Sequence, residues 1–294
     1  MTSILKSILL ATFVITLPSV KALADVTSQQ VWDGLRTAMV ASGFKLRASE
    51  TRNGTRLTIG DLQINKRFQD PGSDASGTIS LSVSSLQFLD KGNGKVNIVF
   101  PEKIPVILRS NSPNDGAFEM QLNLTQRNLV ITASGKPDEL RHDYAAETVG
   151  LNLGKFVLDG TEVPGTDVLA ELDIHDITGT SIRALRTDRN YTQNLSIGRM
   201  SYQGSMSIPS AAETRYNFSG QTTGLEFTGT TALPVILNWS DPLAVLTAGA
   251  SFDADWRYDR AEGDMSSVEG GEKFQQSSEI TAGSGRLALD KQRL

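Results

Sequence analysis

The chain has 294 residues, with 28 lysines and arginines against 33 aspartates and glutamates, a formal net charge of −5, and no cysteine. Missing cysteine excludes disulfides, thiolate zinc sites, thiol nucleophiles and acylated-cysteine anchors. The basic residues are scattered among acids, as around Arg183 and Arg257, so no polybasic face is offered to nucleic acid or anionic headgroups.

Residues 1–24 read as a secretory signal peptide. Lys6 supplies the positive start, a mainly apolar run follows over 8–17, Pro18 breaks it, and Ala22-Leu23-Ala24 gives a small–x–small cleavage site. Cleavage after Ala24 leaves Asp25 as the first mature residue; losing Lys6 and Lys21 moves the net charge from −5 to −7. The apolar run is well short of the ~20 residues that span a bilayer, and no later segment reaches that length. The expectation is an exported, periplasmic protein with no transmembrane span after cleavage. Without disulfides it must be large enough to be stabilised by its own core.

One helix opens the mature chain. Thr27 to Gln30 has the capping-box pattern, Val31, Leu35 and Met39 form an apolar stripe beside Trp32, and Gly43 stops the helix. A narrow stripe opposite a non-basic face predicts packing on a sheet rather than docking on a membrane. After Gly43 the period changes from 3.6 to 2. Phe44, Leu46 and Ala48 alternate with polar residues, Asn53-Gly54 is a hairpin signal, and Leu57, Ile59, Leu62 and Ile64 continue with a kink at Gly60-Asp61. A polar break at 69–77 precedes Ile79, Leu81 and Val83; the phase then slips at Ser84-Ser85, so Leu86 and Phe88 need a bulge to reach the same core. Gly92-Asn93-Gly94 turns the chain into Val96, Ile98 and Phe100. Phe118 to Leu124, Leu129 with Ile131, Val149 to Leu153 and Val168 to Ile174 repeat the alternation. Residues 195–208 read as short strands separated by glycine, and Tyr216, Phe218, Leu225 and Phe227 complete the pattern.

Ser240-Asp241-Pro242 looks like a second helix start. Helix, glycine and an alternating strand then recur in the order of residues 31–47, and Pro-Val-Ile-Leu occurs at both 105–108 and 234–237. Residues 265–285 are polar and rich in Ser, Gly and Glu, which predicts a long hairpin loop or disorder. The expected organisation is a signal peptide (1–24), a main β-rich domain with its helix (25–240), and the start of a second unit (241–294), partly disordered and cut short as in a truncated reading frame.

The fold class is therefore mainly β: a large antiparallel, curved sheet or sandwich, with an N-terminal α-helix packed against it. Alternation places Leu81, Val83, Met120, Leu122, Val168, Leu172, Met206 and Phe218 on one apolar face. Either that face closes on itself or on a partner sheet, or it curls and leaves an apolar trough.

Two segments carry a family resemblance. Ala24-Asp25-Val26-Thr27 with Val31-Trp32, and the run from Leu129 through Lys136-Pro137 to Asp143-Tyr144-Ala145-Ala146, resemble the domain-of-unknown-function 2125 family of exported bacterial proteins. The resemblance implies a signal peptide, a long β-rich body and no assigned activity. The long sheets also look like those of envelope proteins that carry lipid along an incurved β-groove, an analogy of architecture.

No constellation of catalytic residues emerges. In Asp173-Ile174-His175-Asp176, two residues share a strand face and the third points away, which makes no closed metal site. His142 reads as part of a charged surface stretch before a strand. Serines lack a nucleophile elbow. Asp253 with Asp255, and Glu171 with Asp173, are solvated neighbours rather than carboxylates opposed across a cleft. Trp256 and Tyr258 share the apolar side of their strand and read as core; Trp239 reads as a packing plug. The expectation is a non-catalytic protein without cofactor that binds a lipid or other apolar ligand on the eight-residue face above. The alternative is a module docking another envelope protein; an enzyme acting on cell-wall glycan has least support.

Overall fold

The computed structural model describes residues 26–69, 76–112, 116–165, 167–185, 189–208, 214–233 and 247–291. The stretch read as a signal peptide, the helix start expected at Ser240, Trp239 and the second Pro-Val-Ile-Leu lie outside them. Helix α1 (Ser28–Ala41) forms as its ends dictate. The Gln30 backbone N–H donates to Thr27 Oγ1 (3.3 Å) and the Thr27 N–H donates to Gln30 Oε1 (2.9 Å), closing the capping box. At the other end the Ser42 N–H reaches the carbonyls of Ala38 and Met39, and Gly43 turns out of the helix at φ 86°.

The strands among the described residues form one antiparallel sheet of fourteen in near-sequential order. β1 (Lys45–Asn53), β2 (Arg56–Gln69) and β3 (Ser76–Asp90) form a meander. β4 (Lys95–Val99) and β5 (Lys103–Ser112) lie end to end along β3, interrupted at Pro101, which has no N–H for a ladder. β6 (Gly116–Arg127) and β7 (Val130–Lys136) lie end to end opposite them, and β8 (Glu139–Leu158) pairs with both. β9 (Thr161–Val163) pairs with the end of β8. Then come β10 (Val168–Leu185), β11 (Arg189–Ile208), β12 (Thr214–Leu233), β13 (Ser251–Glu269) and β14 (Glu272–Leu289).

Two expectations are corrected here. Residues 195–208 are not separate short strands but part of a single 20-residue strand, with its glycines inside the ladder. Residues 265–285 are not a loop: β13 and β14 pair along their length around a Gly270-Gly271 turn at φ 59° and 86°, and β13 pairs with β12 in the same sheet.

A crease crosses this sheet. Asp61, Asn128, Asp176, Gly224 and Ala282 all have φ between 50° and 62°. They face Ser84, Glu147, Gly198 and Asp259 on the strands between them, and register on either side is kept. Each strand spends one extra residue at this level, so its alternation slips while its inward side chains stay inward. The kink at Gly60-Asp61 and the slip at Ser84-Ser85 are the first two members of the line. Asn128 reaches across to Glu147 (2.8 Å), and Gly224 leaves room for Asp259, whose Oδ2 would lie 2.0 Å from a Cβ there.

The core lies under α1, on one side of the crease and reaching across it. Trp32, Phe88, Leu57, Ile59, Leu62, Leu86, Leu140 and Val96 are wholly enclosed, with the Trp32 and Phe88 rings 5.9 Å apart. Polar anchors fix the helix. Ser28 donates from its N–H and hydroxyl to Asp90 (2.7 and 3.0 Å), and Arg52 donates to Ser28 Oγ (2.9 Å). The same helix touches strands far apart: Trp32 Nε1 donates to Glu50 on β1 (2.8 Å), and Arg183 on β10 donates to the Gly34 carbonyl (2.8 Å). Six strand spacings separate β1 from β10, roughly 29 Å in a flat sheet. A helix about 10–12 Å across spans that only if the sheet curls around it. The sandwich alternative falls away, since the described strands form a single sheet.

Candidate functional site

Among the described residues no helix covers the inward face beyond β10. The ladder registers place its side chains in eight cross-strand rows over β10–β14. From the far end these run Val168, Met206, Tyr216, Ser267, Phe274; then Ala170, Gly204, Phe218, Met265, Gln276; then Leu172, Tyr202, Gly220, Gly263, Ser278; then Ile174, Met200, Thr222, Ala261, Ile280. Past the crease they continue with Ile177, Ile197, Leu225, Tyr258, Gly283 and with Gly179, Leu195, Phe227, Trp256, Gly285. The seventh row holds Ser181, Gln193, Gly229, Ala254 and Leu287; the eighth holds Arg183, Tyr191, Thr231, Phe252 and Leu289.

Arg183, tied to α1, is the one charged residue in these rows. Along the same strands Glu171, Asp173, Glu226, Asp253, Asp255, Arg257, Glu262, Asp264, Glu279 and Arg286 point the other way, by parity of the register. The outward face is braced by exposed pairs such as Arg257–Glu226 and Arg286–Asp253, both 2.7 Å, each of small energetic weight. The inward face is apolar and open: Met206 is 42 % exposed, Phe218 49 %, Met265 47 % and Phe274 50 %. At its inner margin Tyr144, Leu195 and Phe227 line a depression of 410 Å³.

What holds a single layer flat without a core above it is a repeated pairing of aromatic ring and glycine. Phe218 faces Gly204, Tyr202 faces Gly220, Trp256 faces Gly285, Tyr258 faces Gly283, Tyr144 faces Gly179 and Phe68 faces Gly77. Each ring lies down over its glycine; a Cβ on Gly204 would sit 2.2 Å from the Phe218 ring. The ring thereby covers backbone that would otherwise face water, burying apolar surface within one layer. Trp256 and Tyr258 are accordingly not core: Trp256 is 37 % exposed, and both rings pack on glycine backbone.

All eight residues predicted for an apolar face point to this one side of the sheet. Val83, 4 % exposed, belongs to the core under α1, and Leu81 packs against it. Met120 and Leu122 on β6, and Val168 and Leu172 on β10, are half-buried; Met206 and Phe218 are open. The sequence reading missed Met265, Phe274 and Ile280, because it placed 265–285 in a loop, while it already read Leu287 and Leu289 as the start of an alternating strand. Their period-2 spacing with the crease as the one slip was the available signal.

His142 is corrected. It is not a surface residue ahead of a strand; it sits within β8, turned inward between Ala133 and Ser181, near Arg183. Burial, and then the Arg183 charge, hold its imidazole below the ordinary value, with Asp143 partly opposing. The surface pair is its neighbours': Arg141 meets Asp143 at 2.6 Å. Asp173 points outward, Asp176 lies over Gly198 in the crease, and His175 Nδ1 is 3.4 Å from Thr148 Oγ1. Among the described residues no group of three or more His, Asp or Glu could hold a metal ion, and no helix is long and apolar enough to cross a membrane. No family model, curated protein or solved structure matches the chain.

Proposed function

We propose that this is an exported, periplasmic, non-catalytic binding protein that holds an acyl chain or similarly apolar ligand along the inward face of β10–β14. The observation that supports the reading is the sorting of charge: eight rows of inward side chains with a single, helix-bound arginine, over which the described residues place no second layer. Water against so large an apolar surface is unfavourable, and a face of this kind marks a binding surface. The rows extend roughly 50 Å along the strands, enough to lay a long hydrocarbon chain end to end. Rings resting on glycine backbone offer flat, rigid contact area that suits methylenes. The chain's resemblance to exported bacterial β-rich proteins agrees with the signal peptide at 1–24.

The test is titration with an apolar fluorescent probe, together with native mass spectrometry of protein purified from the periplasm. Saturable probe binding and copurifying lipid are expected. Met206→Asp and Met265→Glu, placing charge on the open face, should abolish binding and leave the unfolding midpoint nearly unchanged. Absence of saturable binding by the wild type would discard the reading, and copurifying protein in place of lipid would favour a docking module.

A further inference from the structure

The polar side chains of the inward face are not evenly spread. Over β10–β14 the first six rows carry no charge; apart from tyrosine hydroxyls, their polar groups are Thr222, Ser267, Gln276 and Ser278, all neutral and on β12–β14. The opposite corner is different. In the seventh row His142 on β8, Ser181 on β10 and Gln193 on β11 stand side by side, and in the eighth Arg183 follows next to Tyr191. Neighbours in a row are about 4.8 Å apart and successive rows about 6.7 Å, which brings His142, Ser181, Gln193 and Arg183 within about 10 Å of one another. Gln193 Nε2 also reaches the Tyr144 hydroxyl in the sixth row (3.5 Å), and that hydroxyl donates to the Asn194 carbonyl (3.3 Å).

This corner is where the open face meets the helix. Arg183 is 8 % exposed and holds the Gly34 carbonyl; His142, Ser181 and Tyr144 are half-buried, and Gln193 is exposed at the lip. The Arg183 charge is felt at His142, whose imidazole is held below its ordinary value by burial first and that charge second. Facing the histidine directly are Ala133 from β7 and Ser181 from β10, both uncharged. The nearby carboxylates are turned elsewhere and already met: Asp143 points outward onto Arg141 (2.6 Å), and Asp33 on α1 pairs with Arg36 (2.7 Å).

We propose that this corner receives the anionic head of a single-chain amphiphile, whose hydrocarbon tail runs along the strands from the sixth row across the crease towards the first. The inference rests on the binding reading and gives its ligand a head and a direction. An ionised carboxylate or phosphate only accepts hydrogen bonds. The Gln193 amide, the Ser181 and Tyr144 hydroxyls and the His142 ring N–H are donors set around one spot, and bonds to an ionised acceptor are the strong kind. The Arg183 charge lies among buried neighbours, where its field is less screened than in water, and it favours an anion over a neutral or cationic head. The neutral corner at the far end of β13 and β14 supplies no such charge.

Calorimetric titration of the whole chain with four amphiphiles of one chain length tests this. Myristate and tetradecyl phosphate should each bind roughly tenfold or more tightly than tetradecanol, and tetradecyltrimethylammonium should bind most weakly. Gln193→Glu, a change at an exposed lip, should weaken myristate roughly tenfold and leave tetradecanol within about twofold. The position of the head is read separately. The chain has two histidines, and His175 points outward. In His175→Gln the imidazole resonance of His142 stands alone, and it should move on saturation with myristate. Equal affinity for the four amphiphiles, or myristate binding that leaves the His142 resonance still, would overturn the proposal while the binding reading stood. No saturable binding of any of the four would end both.

Discussion

Phe88 on β3 and Phe218 on β12 point to the same side of the same sheet, yet the first is 0 % exposed and the second 49 %. Around Phe88 the sheet curls about α1, and burial is three-dimensional: Trp32, Leu57, Leu86 and Val96 close over one another. Around Phe218 the described residues form one layer, and the ring finds its partner within it, on Gly204. The difference teaches that an alternating pattern reports which face a side chain takes, not what lies above that face. In the first region alternation makes a core; in the second it makes a surface. Charge tells the two apart: the core is anchored by the part-buried contacts of Ser28, Arg52 and Asp90 at its rim, whereas the open rows keep every charge but Arg183 on the opposite face.

The largest test of this contrast is truncation in both regions. Trp32→Ala and Phe88→Ala should each cost about 3–5 kcal/mol, since each leaves a cavity in a closed core. The same change at Met265 should cost less than about 1 kcal/mol, because its side chain is already half in water. Urea midpoints at constant slope measure both. If Met265→Ala proved as costly as Phe88→Ala, the open face would be covered in solution and the contrast would fail.

A second test sharpens how the single layer holds together. Gly204→Val places a Cβ where the Phe218 ring now rests, so the ring must lift and the strand shift. The expected loss is about 1–3 kcal/mol, as for overpacking. Phe218→Ala should remove most of the clash, so the double variant should be more stable than the two single losses added together. Simple additivity would mean that ring and glycine do not act as a pair.

How much of this could be read from the sequence follows from the same contrast. The capping box at Thr27 and Gln30, the slips at Asp61 and Ser84 and the shared face of Leu81 through Phe218 were legible, because each is a local pattern with a fixed period. The 20-residue length of β11 and β12 was not. Glycine normally punctuates strands, and Gly204 and Gly220 make sense inside them only once an aromatic on the next strand is known to lie across them. Nor was the strand pairing that fills the β13–β14 hairpin almost to its turn: a single-layer strand needs few apolar residues, so its composition resembles a loop. His142 was misplaced because its neighbours Arg141 and Asp143 are charged, while the strand's alternation turns the histidine alone inward.

His142 gives the smallest effect, and the one that probes where the two regions meet. It lies on β8, beside the Arg183 that ties the end of the open face to α1. Its pKa is pushed below 6.5 by burial first and Arg183 second. The unfolded chain therefore takes up a proton near pH 6.5 that the folded chain refuses until lower pH. Wherever the unfolded state binds more protons, stability rises with pH. The contribution of His142 is thus complete above about pH 7 and is lost as pH falls through 6.5 towards the folded value. Glu50, lowered chiefly by its bond from Trp32, and Asp143, lowered chiefly by Arg141, also favour folding at higher pH. Their contributions fade only in the acidic carboxylate range, so the window between about pH 7.5 and 5.5 isolates the histidine. Denaturant midpoints should fall across that window in the wild type and less so in His142→Gln. Arg183→Gln should lessen the fall as well, by letting the imidazole charge more easily, and it should also loosen the helix from β10. A wild type and a His142→Gln variant with the same slope would place His142 in solvent, and the curl of the sheet around α1 would then have to end before β8.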